Sequence, residues 1–204
     1  MPYINTTPAA EATGETREMY RRQQNRFGYV PNYAKVFCHR PELMKLWADL
    51  QVGIRRNIDP RRFELATLAA AHALRSSYCS LAHGKVLTEY FSAEEVRAIA
   101  TEAEPGPLSP AEQAMVRYAR KVAADASSVT ATDIEAMKKH GLSDAEIFDI
   151  AVTAAGRAFF AKISDALGVE PDAAFLGLDP ALRESLTVGR PIDSSEPDRL
   201  AEAS

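Results

Sequence analysis

The 204-residue chain has little of what marks several common classes of protein. Two cysteines, Cys38 and Cys79, are too few for a secreted disulfide scaffold or a zinc site of four thiolates. No apolar run approaches the roughly 18 residues that a membrane span requires, and the polar N-terminal segment lacks the charged and apolar regions of a signal peptide. We therefore expect a soluble, cytoplasmic protein whose thiols stay reduced.

Clustered positive charge and nucleotide-binding motifs are also missing. The net charge is -4, and the basic residues alternate with acidic ones, which argues against a nucleic-acid partner. The sequence contains no G-x-G-x-x-G fingerprint, no P-loop and no H-E-x-x-H. We accordingly predict no cofactor, no bound metal ion and no membrane partner.

Runs of alternating β-branched residues are scarce, whereas helix start signals are frequent. Four capping-box patterns precede apolar-periodic runs, at Ser92 with Glu95, Ser109 with Glu112, Thr132 with Glu135, and Ser143 with Glu146. Together with the stop signals, they predict an all-α fold with helices near residues 11–27, 41–56, 60–75, 77–90, 92–101, 110–124, 130–140, 144–167 and 171–176.

The chain is expected to form a single all-α domain over residues 1–186. The P-G-P sequence at 105–107 is interpreted as a loop inside this domain, because residues 60–100 alone could not bury enough surface to be stable. Residues 187–204 are polar, and they are predicted to be a flexible tail or to wrap on a partner subunit.

The segment 64–83 gathers three reactive side chains. Cys79 and His83 are four residues apart, so a helix places them on one face, where the imidazole can accept the thiol proton or accompany a thiolate. A helix start just before Cys79 also favours the thiolate. Glu64 lies in a separate alanine-rich segment that reads as a buried helix, where its carboxylate needs a partner such as His83.

These residues also carry a resemblance to a known family. A Glu, eleven residues and then C-x-x-C-x-x-x-H are found in the peroxidase branch of the alkylhydroperoxidase D and carboxymuconolactone decarboxylase superfamily. Glu64, Ser76, Cys79 and His83 stand in the four places. Further similarity includes G-Y-V-P-N at 28–32, H-R-P-E-L at 39–43 and L-S-P-A-E-Q at 108–113. The resemblance implies an alkylhydroperoxidase D-like helical bundle that assembles into a homo-oligomer.

Two departures from the family pattern bear on the chemistry. Ser76 replaces the first cysteine and cannot form a disulfide. A catalytic cycle through an internal disulfide is therefore excluded, and a one-cysteine cycle remains. The run A-G-R-A-F-F-A-K at 155–162 stands where the family has F-N-x-x-N-R, which leaves Ala158 and Ala161 at positions that usually carry amides.

The leading functional hypothesis is a thiol-dependent, antioxidant-type peroxidase that reduces a hydroperoxide. Cys79 is the predicted nucleophile, His83 and Glu64 relay the proton, and an external thiol reduces the sulfenic acid. Supporting roles are assigned to Ser76, Tyr78 and His72, although packing is the preferred interpretation for His72. Cys38 is interpreted as a core residue.

Two alternatives stay open at the level of sequence. One is a non-redox lyase or isomerase of the carboxymuconolactone decarboxylase type, which acts on a small carboxylate or lactone with Glu64 and His83 as acid and base. The other is a catalytically inactive member that serves as a binding or scaffold protein. Its mark would be a Cys79 thiol that resists alkylation.

Overall fold

The computed structural model describes residues 2–103 and 106–200, and within them the regular secondary structure is entirely helical. Four short 3-10 segments, at Ala9–Glu11, Phe37–His39, Ala126–Ser128 and Ala173–Gly177, accompany the α-helices. The α-helices in this part of the chain are α1 Gly14–Phe27, α2 Asn32–Val36, α3 Pro41–Arg55, α4 Pro60–Ala73, α5 Ser77–Leu87, α6 Ala93–Thr101, α7 Pro110–Asp125, α8 Ala131–Lys139, α9 Asp144–Ala166 and α10 Pro180–Leu186. The all-α prediction is confirmed. None of these helices is long and apolar enough to cross a membrane.

Three of the four capping boxes predicted from the sequence are confirmed, and one is wrong. Helices α6, α7 and α9 begin with the reciprocal capping boxes predicted at Ser92, Ser109 and Ser143. The box predicted at Thr132 is wrong, because α8 begins two residues earlier. There the backbone N–H of Thr130 donates to Asp133 at 2.9 Å. The N–H of Asp133 donates to the backbone carbonyl of Thr130 at 3.1 Å, so the Asp carboxylate supplies its half of the capping box.

Helix α4 lies at the centre of the fold. Every residue from Phe63 to Ala71 is buried, so the helix is covered on all sides rather than along one stripe. It packs against α5, α7 and α9. Its alanines leave little side-chain volume between helices, which lets the neighbouring backbones approach closely and places Glu64 inside the protein.

A tight turn joins α4 to α5. Arg75 adopts a left-handed conformation with φ of 56°, and the N–H of Ser76 donates to the carbonyl of Ala71 at 3.0 Å. Such a conformation is costly for a residue with a Cβ and is usually held by its surroundings. Here the turn reverses the chain at once, so α5 runs back along α4 and its first turn, with Cys79, lies deep in the protein.

The C-terminal segment 187–200 packs against the rest of the protein. The N–H of Val30 donates to the carbonyl of Asp198 at 2.9 Å, the N–H of Leu200 donates to Gln24 at 2.6 Å, and Leu200 is buried. Residues 201–204 of the predicted tail lie outside the described residues, as does Pro105 of the P-G-P loop. The division into a domain of 1–186 and a flexible tail stays a prediction.

Candidate functional site

A cavity of about 350 Å³ opens between five helices. Its lining comes from α1, α2, α3, α5 and α9. The residues are Gln23, Arg26, Phe27, Tyr33, Met44, Trp47, Ala48, Gln51, Val52, Arg55, Tyr78, Cys79, Ala82, His83, Val86, Arg157 and Phe160. Two of the three predicted catalytic residues, Cys79 and His83, therefore share one cavity.

Cys79 is the third residue of α5 and lies at the inner end of the cavity. It is 2% exposed, and its thiol is free. Nη1 of Arg157, from α9, donates to its Sγ at 3.7 Å, and Arg157 is itself only 7% exposed. A buried guanidinium and the start of a helix both favour negative charge on the sulfur, so this thiol stands in an electropositive setting.

His83 and Glu64 form a buried pair behind the thiol. Nδ1 of His83 lies 2.5 Å from Oε2 of Glu64, and Nη2 of Arg55 donates to Oε1 of the same carboxylate at 2.9 Å. Glu64 is 4% exposed and does not itself line the cavity. Because a carboxylate accepts the Nδ1 proton, the Nε2 atom of the imidazole is left as the basic nitrogen.

The charges of this pair follow from burial and from the neighbouring arginines. Burial lowers the pKa of His83, and the charge of Arg157 lowers it further, against the opposing effect of Glu64. Burial acts to raise the pKa of Glu64. The charge and hydrogen bond of His83 and the charges of Arg55 and Arg157 outweigh it, so this pKa lies below its usual value. At neutral pH the pair consists of a neutral imidazole and a carboxylate.

Sequence reasoning missed the role of Arg157. The i, i+4 spacing predicted that His83 would accept the thiol proton or accompany the thiolate as its cation. Across residues 2–103 and 106–200, no hydrogen bond joins His83 to Cys79, and the cation at the sulfur is Arg157. The run A-G-R-A-F-F-A-K contains this arginine. A charged residue inside an apolar helical run was the one signal that could have revealed it.

Tyr78 lines the cavity and is tied to a buried carboxylate. Its hydroxyl donates to Oδ2 of Asp172, which also accepts from the hydroxyl of Tyr29 at 3.2 Å, while Oδ1 accepts from the backbone N–H of Asn32 at 2.7 Å. Burial raises the pKa of Asp172, although the three donors act in the opposite direction. This network fixes the aromatic wall beside Cys79.

Three other residues singled out from sequence lie outside the cavity lining. Ser76 is fully buried and precedes α5, and its hydroxyl has no hydrogen-bond partner within the described part of the chain. Nε2 of His72 lies 3.2 Å from the carbonyl oxygen of Ser185. Cys38 packs against the core, and its Sγ accepts from the N–H of Thr7 at 3.4 Å. Neither Ser76 nor His72 thus lines the cavity that contains the thiol.

The all-α architecture is an alkylhydroperoxidase D-like helical fold. The structure is similar to that of an uncharacterised peroxidase-related protein with an alkylhydroperoxidase AhpD core from Ralstonia eutropha JMP134. The TM-score is 0.73 at 21% identity, covering 93% of this chain and 98% of the other. A peroxidase-related protein from Silicibacter sp. TM1040 gives a TM-score of 0.74 at 20% identity, covering 86% and 94% of the two chains.

Residues 41–121 match the sequence profile of the carboxymuconolactone decarboxylase family. The matched segment contains Glu64, Cys79 and His83 but not Arg157. A cysteine-to-alanine variant of the debrominase Bmp8, solved in complex with 2,3,4-tribromopyrrole, shares the fold with a TM-score of 0.68 at 15% identity, covering 91% and 98% of the chains. The search of curated proteins finds no match.

Within the described residues, no group of three or more His, Cys, Asp or Glu side chains is placed to hold a metal ion. The candidate site is thus built from a thiol, an imidazole, a carboxylate and arginines. A cationic hydrogen-bond donor faces the sulfur, and a neutral base oriented by a carboxylate shares its cavity. This combination suits nucleophilic chemistry at sulfur.

Proposed function

We propose that the protein is a thiol-dependent peroxidase-like oxidoreductase that reduces a small hydroperoxide through Cys79 alone. The observation that carries the proposal is the contact of the Arg157 guanidinium with the sulfur, 3.7 Å away in a cavity lined by His83. The family domain and the peroxidase-related structural neighbours support it at the level of the fold.

The first step is a two-electron transfer at sulfur. The Cys79 thiolate attacks the terminal oxygen of the hydroperoxide, an S–O bond forms and the O–O bond breaks. His83 first takes the thiol proton, directly or through water, and then delivers it to the departing alkoxide, which leaves as an alcohol. The sulfur is oxidised to sulfenic acid, and the peroxide is reduced.

The return to the thiol requires an external thiol. The first reductant molecule attacks the sulfenic sulfur, releases water and leaves a mixed disulfide on Cys79. A second molecule attacks that disulfide, releases the oxidised reductant and regenerates the thiol. Because Ser76 replaces the first cysteine of the C-x-x-C pattern, no thiol partner at the start of α5 performs this step internally.

The position of Glu64 favours this cycle over the non-redox alternative. Both of its oxygens are already engaged, Oε2 with His83 and Oε1 with Arg55, and the carboxylate lies behind the imidazole rather than in the cavity wall. A carboxylate so placed orients the base and does not reach a substrate proton itself. The lyase or isomerase reaction would then depend on His83 alone.

Peroxide consumption tests the proposal directly. The reduced protein is mixed with tert-butyl hydroperoxide and excess dithiothreitol, and the loss of peroxide above the uncatalysed background is followed. We expect turnover in the parent protein and in Cys38→Ser, and none in Cys79→Ser. If the parent is no faster than Cys79→Ser, while it converts a lactone in a manner lost in His83→Gln, the acid–base alternative replaces the peroxidase.

A further inference from the structure

The charges lining the cavity are predominantly positive. Arg26, Arg55 and Arg157 all line it, and among the described residues the only carboxylate bonded to these arginines is that of Glu64, through Arg55. Arg26 has no acidic partner within the described ranges, and its guanidinium lies 5.0 Å from the centre of the Phe27 ring. An unpaired cation at a cavity favours an anionic ligand.

The wall between the rim and the thiol is aromatic. Trp47 and Phe160 stack with ring centres 5.2 Å apart and planes at 16°. Tyr33 meets Phe160 edge-on at 5.2 Å and Tyr78 at 5.5 Å. Flat faces and edges of this kind accept a ring in offset or edge-to-face contact. The volume of about 350 Å³ lies near the lower end of the ~300–1,000 Å³ range of ligand pockets, which suits a molecule of one ring.

The cation and the thiol line this cavity at different depths. Arg26 is exposed, so its guanidinium stands at the rim, whereas Cys79 is 2% exposed at the inner end. A ligand whose anionic group stays at the rim therefore directs its other end to the sulfur. The cavity therefore favours a ligand with an anionic group and an aromatic ring, bound in this orientation.

We propose that the substrate at this site is a small aromatic hydroperoxide that carries a carboxylate. Arg26 binds the carboxylate at the rim, the ring lies along Trp47 and Phe160, and the hydroperoxide reaches Cys79. This assignment of the substrate class rests on the proposed peroxidase function, but the preference for an aromatic anion is measured separately from turnover.

Binding is measured with Trp47, the single tryptophan of the chain, as the fluorescent reporter. Cys79→Ser protein is titrated with 3-phenylpropionate, 3-phenylpropanol and 3-cyclohexylpropionate. We expect the aromatic acid to bind more tightly than the alcohol by about fivefold, a difference typical of one partly exposed ion pair. The cyclohexyl acid should also bind more weakly than the aromatic acid. Equal affinities for the aromatic acid and the alcohol would overturn the proposal.

The variant Arg26→Gln locates the effect. It should erase the advantage of 3-phenylpropionate over 3-phenylpropanol, while the affinity for the alcohol stays unchanged. Arg22→Gln is the matched control, because Arg22 lies one turn earlier on α1, pairs with Glu18 at 3.6 Å and does not line the cavity. An identical loss in both variants, or no loss in Arg26→Gln, would contradict the assigned role of Arg26.

Turnover then links the binding class to the reaction. We expect kcat/KM for the 4-carboxylate derivative of cumene hydroperoxide to exceed that for cumene hydroperoxide by about fivefold, and Arg26→Gln to remove the difference. Equal values in the parent protein would overturn the substrate assignment and leave the peroxidase proposal intact. Tight binding of the aromatic acid with no turnover of either hydroperoxide would instead contradict the peroxidase proposal and the substrate assignment together.

Discussion

Nη1 of Arg157 lies 3.7 Å from Sγ of Cys79, although the two residues are 78 positions apart in the sequence. The contact joins the middle of α9 to the first turn of α5 inside the protein. It places a permanent cation at the thiol, whereas the nearby His83 is kept neutral at physiological pH by burial and by the same arginine. In the proposed mechanism, Arg157 stabilises negative charge on the sulfur, and His83 transfers the proton.

Replacing Arg157 should slow the reaction of Cys79 with electrophiles. A hydrogen bond to a charged group contributes about 1.5–3 kcal/mol, so we expect Arg157→Gln to reduce the rate of iodoacetamide alkylation at neutral pH by about tenfold or more. Arg157→Lys should retain part of the rate, because it keeps the charge. The measurement is peptide mass spectrometry, with Cys38 in the same sample as the internal reference. Unchanged alkylation in Arg157→Gln would show that the arginine does not act on the sulfur.

The lowered pKa of His83 has a consequence for stability. In the unfolded chain a histidine titrates near 6.5, whereas folded His83 stays neutral to lower pH. As the pH falls below about 6.5, the unfolded state binds more protons than the folded one, and stability is lost until the folded pKa is passed. The maximum slope for one such group is about 1.4 kcal/mol per pH unit.

Urea unfolding at pH 7.5 and 5.5 measures this effect. The free energy of unfolding should fall more steeply with acidification in the parent protein than in His83→Gln, which lacks the buried imidazole. His140→Gln is the control, since it removes an exposed histidine and should keep the parent's pH dependence. Parallel pH dependence in the parent and His83→Gln would contradict the assignment of a neutral, buried imidazole.

Asp172 is expected to be important for stability through its three donors. Asp172→Ala leaves the hydroxyls of Tyr29 and Tyr78 and the N–H of Asn32 without their shared acceptor. We expect the free energy of unfolding to fall by about 1–3 kcal/mol. Asp49→Ala, which removes an exposed i, i+4 ion pair with Lys45, should cost less than about 1 kcal/mol. An equal loss in the free energy of unfolding in the two variants would contradict the stabilising role of the Asp172 network.

Ser76→Cys tests whether one substitution separates this site from the two-cysteine cycle. Residues 76 and 79 lie at the start of α5 at a spacing that can reach disulfide geometry. We expect one equivalent of hydroperoxide to consume both thiols and dithiol-dependent turnover to rise. Ser80→Cys is the control and should form no such disulfide. A disulfide in Ser76→Cys without faster turnover would contradict the peroxidase-type scaffold.

Much of the fold could be predicted from local signals. Caps and charge at helix ends gave eight of the ten described α-helices to within a few residues, because these signals act within one or two turns. Helices α2 and α10 were missed. The first has five residues, and the second follows Asp179-Pro180, a start signal from which no helix was predicted.

The candidate site could likewise be predicted only where local sequence signals define it. Glu64, Cys79 and His83 could be singled out because they follow a pattern within twenty residues, and the structure places Cys79 and His83 in one cavity with Glu64 bonded to His83. The contacts of Arg157 and Asp172 could not be predicted, since they depend on how α9 and the segment after it pack against α5. Local spacing carries no information on such distant pairs. Their catalytic or positioning roles stay predictions until measured.

The most direct test of the account is the oxidation state of Cys79 after exposure to one equivalent of hydroperoxide. The reduced protein is treated in the presence of a dimedone-type probe, and the peptides containing Cys79 and Cys38 are weighed by mass spectrometry. The account predicts a sulfenic acid adduct on Cys79, little on Cys38, and no disulfide between them. A Cys79 that remains a free thiol, or a dominant Cys38–Cys79 disulfide, would contradict the one-cysteine peroxidase cycle.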